Sequence, residues 1–168
     1  FMQINRIKQS MLVISILFII IFSQNFTTAL AAEDPFDHDF TFIVTADMRQ
    51  YATEKYHTPA HFLGLLQAVK KIGKGEFMIS TGDIDPPHAV REVISQVLGE
   101  DYPWYPVVGN HEAETEADME WLVEYNKNGT KLPKIVRKGP PGTEETTYSF
   151  DWGQCDFIAL NQYYDGNS

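Results

Sequence analysis

Trp104-Tyr105-Pro106-Val107-Val108-Gly109-Asn110-His111-Glu112 runs from an apolar stretch directly into an amide, an imidazole and a carboxylate. Five apolar residues ending at a glycine read as a short buried strand. The polar residues beyond it then stand at the strand's carboxyl end. The same pattern occurs twice upstream. Residues 76–81 read as a strand ending at Gly82-Asp83, and residues 40–46 as a strand ending at Asp47-Met48-Arg49. The segments between them have helical periodicity. Residues 59–72 place Phe62, Leu65, Leu66, Val69 and Ile72 on one face before Gly73, and residues 89–98 align Val90, Val93, Ile94 and Val97 before Gly99. Residues 116–125 predict a third helix with Thr115 as its N-cap. Strand and helix alternate three times, which predicts an α/β fold with a mainly parallel sheet.

Further on, residues 127–146 read as irregular, with a surface loop at Lys138-Gly139-Pro140-Pro141-Gly142. Residues 147–152 and 155–160 read as a β-hairpin around Gly153-Gln154. The only cysteine, Cys155, excludes an internal disulfide and is expected to be a buried strand residue rather than a nucleophile. A sheet stopping just after the hairpin would leave an unprotected edge, and Phe1 precedes Met2. Both features suggest that residues 40–168 are the first part of a larger domain.

The first 31 residues read as a signal peptide: Arg6 and Lys8, a twelve-residue apolar run over residues 11–22, then small residues at Ala29 and Ala31. The run is short of the roughly 20 residues that cross a bilayer, so cleavage after Ala31 is expected rather than a membrane anchor. Residues 32–39 then form an acidic linker, and the mature chain is expected to be secreted or periplasmic. Removing Arg6 and Lys8 leaves 11 basic against 23 acidic residues, a net charge of −12. That balance disfavours a nucleic-acid scaffold or an anionic lipid surface, since phosphate neutralisation needs clustered Lys and Arg. It leaves phosphate chemistry open, because bound cations invert the local field.

In open α/β sheets, ligands bind beyond the carboxyl ends of the strands, so the three polar clusters are expected to converge. Asp47 and Asp83 are 36 residues apart and Asp83 and Asn110 are 27, each enough for one strand–helix–strand passage. Carboxylates, an amide oxygen and imidazole suit Mn²⁺, Fe, Zn²⁺ or Mg²⁺ rather than soft metals. Alone, Asp47 reads as a cap and Gly82-Asp83 as a turn; together with Gly109-Asn110-His111-Glu112 they read as a metal site. His57 and His61 share the i, i+4 spacing that can bind zinc, but no third ligand lies near them in sequence. They read as surface or core-edge residues. Trp104, Tyr105, Trp121, Tyr163 and Tyr164 read as core and rim aromatics rather than a base-stacking platform.

In these clusters the chain resembles the calcineurin-like metallophosphoesterases, whose signature runs Asp-x-His, Gly-Asp, Gly-Asn-His-Glu/Asp, then a later His and a Gly-His-x-His. The resemblance spans about residues 40–165, and Gly-Asn-His-Glu alone would arise by chance in about one chain of this length in a thousand. It implies a layered αββα sandwich, of which this chain supplies the first half. It also implies hydrolysis of a phosphomonoester or phosphodiester by hydroxide activated on metal ions, two of them, drawn from Mn, Fe or Zn. Asp47 would ligate the first metal, Asp83 would bridge both, and Asn110 would ligate the second through its side-chain oxygen. His111 would act on the leaving group as general acid or transition-state stabiliser, with Glu112 behind it orienting the imidazole.

The chain departs from the signature in two places. Arg49 stands where the family has histidine, and a guanidinium is not a metal ligand. The first metal site is therefore weakened, re-liganded or absent, and Arg49 is a candidate for binding substrate phosphate through its fork of donors. No histidine follows His111, so the remaining ligands would lie beyond Ser168. The alternative is a non-catalytic phosphate- or metal-binding relative of the same fold. An unrelated nucleotide binder has no Gly-rich phosphate loop to support it.

Overall fold

The structure is a computed structural model that describes residues 39–49 and 58–164. All of them fall in the second of the chain's two compact units, His38–Ser168. The signal peptide, nearly all of the linker and His57 lie outside the described residues.

Strands β1 (Phe42–Thr45), β2 (Phe77–Ser80) and β3 (Trp104–Pro106) form a parallel sheet in the order β1-β2-β3. Helix α1 (Thr58–Ile72) links β1 to β2, and α2 (Pro87–Leu98) links β2 to β3. A single turn, α3 (Asn110–Ala113), follows β3 and leads into α4 (Glu116–Tyr125). A second, antiparallel sheet contains β4 (Ile135–Lys138), β5 (Tyr148–Trp152) and β6 (Cys155–Ala159). The expected α/β class, parallel sheet and C-terminal hairpin are therefore present.

Alternation along the central strands sorts side chains to two cores. On one face, Met78 and Trp104 join Phe62 and Leu66 of α1 and Val90, Ile94, Val97 and Leu98 of α2. On the other, Phe77 and Tyr105 meet Tyr148, Phe150 and Trp152 of the second sheet. Tyr105 stacks on Phe150 with centroids 3.6 Å apart, and Phe77 meets Trp152 at 4.6 Å. Such ring pairs add about 0.5–1.5 kcal/mol each beyond area burial.

Several expectations are corrected. In α1, Leu65 is 51% and Ile72 87% exposed, while Leu63 packs against the core. The helix is turned toward α2, where Lys70 Nζ donates to Val97 O at 2.7 Å, so the far edge of its apolar stripe faces out. Phe42 and Val44 of β1 are exposed because no described strand pairs beyond β1. Cys155 is also exposed, as the first residue after the hairpin turn on the outermost strand. Residues 127–146 contain β4, whose Ile135-Val136-Arg137-Lys138 is mostly solvent-facing and lacks an apolar alternation to reveal it. Thr115 does precede α4, but its hydroxyl makes no capping bond.

Candidate functional site

Because the strands are parallel and in register, Thr45, Ser80 and Pro106 lie side by side at their carboxyl ends. A polar ladder crosses the sheet there. Trp104 Nε1 donates to Ser80 Oγ at 2.7 Å, and Ser80 Oγ shares a 2.8 Å bond with Thr45 Oγ1. Just above it the loops interlock: Thr81 N donates to Thr45 O at 2.8 Å and Asp47 N to Gly82 O at 3.2 Å. Gly82, at φ 106°, has no room for a side chain, since a Cβ would lie 2.8 Å from Gly109 Cα. The three clusters named from sequence thus meet at one edge of the sheet.

Asp47 and Asp83 both adopt left-handed backbone conformations, with φ of 57° and 53°. Non-glycine residues seldom do so, and such conformations cost of order 1–3 kcal/mol unless their surroundings impose them. Asp tolerates the region better than most residues. The strain places both carboxylates on sharp turns directly after their strands.

Glu112 is fully buried, and its carboxylate accepts three backbone N–H groups. Oε2 takes Gly109 N at 2.7 Å and Asp83 N at 3.0 Å, and Oε1 takes Ile84 N at 2.7 Å. Burial pushes its pKa up, and the bonds from Gly109, Ile84 and Asp83 oppose that rise. Sequence reasoning expected Glu112 to orient His111. Its oxygens instead fasten the loop carrying Asp83 to the turn carrying Asn110 and His111.

His111 is flanked by two other carboxylates. Its Nε2 lies 3.9 Å from Asp83 Oδ2 and its Nδ1 3.8 Å from Glu114 Oε2, both beyond hydrogen-bond length. Glu114 Oε1 also accepts Asn110 Nδ2 at 3.4 Å, which leaves the amide oxygen of Asn110 to face another partner. Glu114 was not singled out from sequence. Its spacing, i+4 from Asn110 and i+3 from His111 on a helical turn, was the available signal.

Arg49 Nε donates to Asp85 Oδ1 at 2.9 Å in a partly buried ion pair. That bond raises the Arg49 pKa above its ordinary value, and the charges of Asp83 and Glu112 act in the same direction. The ion pair ties Asp85, on the loop after β2, to the first cluster. Elsewhere, His61 is exposed on α1 and His88 is exposed at the start of α2. Trp104 and Tyr105 are core residues, as expected.

For a metal, the chain offers the oxygens of Asp47, Asp83 and Asn110, a hard donor set suited to the ions named from sequence. Among the described residues no three His, Cys, Asp or Glu side chains gather into a metal-binding group. Asn110 follows β3 with an amide oxygen that could serve as a donor, whereas Arg49, two residues after Asp47, supplies none. No protein-family model, curated protein or solved structure matches the chain.

Proposed function

We propose that the protein is an exported metal-dependent phosphoesterase of the calcineurin-like type, acting on a phosphomonoester or phosphodiester. Convergence of the three strand-end clusters carries this reading, with Asp83 against Gly109 and 3.9 Å from His111. The packing of helices on one face of the parallel sheet and a second sheet on the other supports half of an αββα sandwich.

In this reading Asp47, Asp83 and Asn110 hold the metal. When bound, such ions supply Lewis acidity and lower the pKa of water, as phosphate ester hydrolysis requires. Asp83 offers carboxylate oxygens between the two strand ends, and Asn110 its amide oxygen. His111, beside Asp83 and Glu114, gives a proton to the leaving oxygen as the ester bond breaks. Arg49 presents donors to a non-bridging phosphate oxygen while Asp85 holds its Nε. Glu112 keeps the two loops at fixed separation, since oriented charge is what catalysis of this kind requires.

The test is turnover by the full-length protein of p-nitrophenyl phosphate and bis(p-nitrophenyl) phosphate, with Mn²⁺ and with a chelator. Metal-dependent hydrolysis of either supports the reading, and the preferred ester separates monoesterase from diesterase. A second reading, phosphate or metal binding without turnover, draws on the Arg49–Asp85 pair; binding with no hydrolysis of either ester would favour it. Export rests on the n-region, apolar run and small residues of the first 31 positions. N-terminal sequencing of secreted material should begin near Ala32, and a retained Arg6 would contradict it.

A further inference from the structure

The residues on the Asp47 side of the site do not fit the two-ion arrangement that the resemblance implies. We infer that Arg49, braced by Asp85, stands in for one of the two cations, so that the site takes a single metal ion. This rests on the metal-site reading above and narrows it.

Three observations carry the inference. First, Arg49 is committed in place: its Nε donates to Asp85 Oδ1 at 2.9 Å, with the two side chains 29% and 13% exposed. Asp85 lies two residues after Asp83 on the same loop, so the guanidinium is fastened to the segment that carries the central carboxylate. Second, a guanidinium keeps its charge at any physiological pH and has no lone pair to give a metal. A divalent ion held by Asp47 would face a fixed positive charge carried two residues along the same loop. Third, the two sides differ in what this chain puts beside Asp83. Position 49 follows Asp47 with a guanidinium, which donates hydrogen bonds and cannot ligate, whereas Asn110 follows Gly109, against which Asp83 is packed, and brings an amide oxygen that can.

The arrangement has a chemical consequence. A metal ion on the Asp47 side would bind both water and phosphate, whereas a guanidinium can bind only phosphate, by donating hydrogen bonds to its oxygens. The positive charge at that position is then independent of metal supply, and Asp85 takes over the orienting work of a protein ligand.

Equilibrium dialysis of the full-length protein against micromolar Mn²⁺, with metal counted by elemental analysis and the bound ion examined by electron paramagnetic resonance, tests this without recourse to activity. The wild type should hold one Mn²⁺ per chain with an uncoupled six-line spectrum. Arg49→Lys, which keeps the charge, should also hold one. Arg49→His, which removes the fixed charge and adds a donor, should bind a second ion and show a spin-coupled pair. Asp83→Asn should lose the ion altogether. Two coupled ions in the wild type would overturn the inference and leave the metal-site reading standing. An Arg49→His protein that folds, as judged by circular dichroism, yet still holds one ion would also overturn it. No specific Mn²⁺ in the wild type, with Asp83→Asn indistinguishable from it, would overturn both.

Discussion

Gly82 and Gly109 stand back to back, so close that a Cβ on Gly82 would lie 2.8 Å from Gly109 Cα and 2.9 Å from Gly109 N. The contact brings the end of β2 against the end of β3, and so sets Asp83 beside the turn that carries Asn110 and His111. A Cβ on Gly109 would fall 2.3 Å from Asp83 Oδ1 and 2.5 Å from Asp83 N. Gly109→Ala must therefore push the Asp83 backbone away. It should cost about 3 kcal/mol, the upper part of the usual range for overpacking, measured by urea unfolding. Gly64, inside α1 with open space around its Cα, is the control. Gly64→Ala should stabilise by about 0.5–1 kcal/mol through helix propensity. Equal effects at the two positions would show that the glycine contact is not tight.

Glu112 is the second fastening between those loops. Replacing it with Gln turns one acceptor oxygen into an amide that faces backbone donors, so at least one of Gly109 N, Asp83 N and Ile84 N loses its partner. Leaving a buried N–H unsatisfied costs about 1–3 kcal/mol. Because the loops carry the proposed ligands, metal affinity should fall as well, by about 10–100-fold, the range for supporting contacts around a metal. Calorimetric Mn²⁺ titration beside urea unfolding measures both. If Glu112→Gln keeps wild-type stability, the three hydrogen bonds are not worth what their geometry implies.

In the proposed mechanism His111 acts on the leaving group and holds no metal. His111→Ala should keep the metal content and lower kcat by about 10²–10⁴-fold, the usual contribution of a general acid. The loss should shrink for p-nitrophenyl esters, whose leaving group needs little protonation, and grow for alkyl esters. Steady-state kinetics on both classes, beside elemental analysis, would expose an incorrect assignment: a variant that loses its metal makes His111 a ligand.

The features legible in sequence were those with a local signature. Apolar runs ending at Asp47, Gly82-Asp83 and Gly109-Asn110 announce strands, and the parallel sheet follows from the helices between them. Features that depend on long-range packing were hidden. Glu112 looked like a partner for its neighbour His111, and only the approach of the Asp83 loop reveals what its oxygens bind. Leu65 and Ile72 share the periodicity of Phe62 and Leu66, yet the tilt of α1 toward α2 leaves them exposed. Arg49 was visible as a departure from the signature, but its bond to Asp85, 36 residues away, was not. The strand β4 escaped because four mostly exposed residues, two aliphatic and then two basic, carry no hydrophobic alternation.

The central claim is that Asp83 holds catalytic metal between converging strand ends. Its most direct test compares the wild type with Asp83→Asn in the full-length protein, measuring bound Mn²⁺ and hydrolysis of bis(p-nitrophenyl) phosphate and p-nitrophenyl phosphate on the same preparations. Replacing a charged oxygen donor by a neutral amide should strip the metal and abolish turnover together, with the circular dichroism spectrum unchanged. An Asp83→Asn protein that retains wild-type metal content and wild-type turnover would contradict the account.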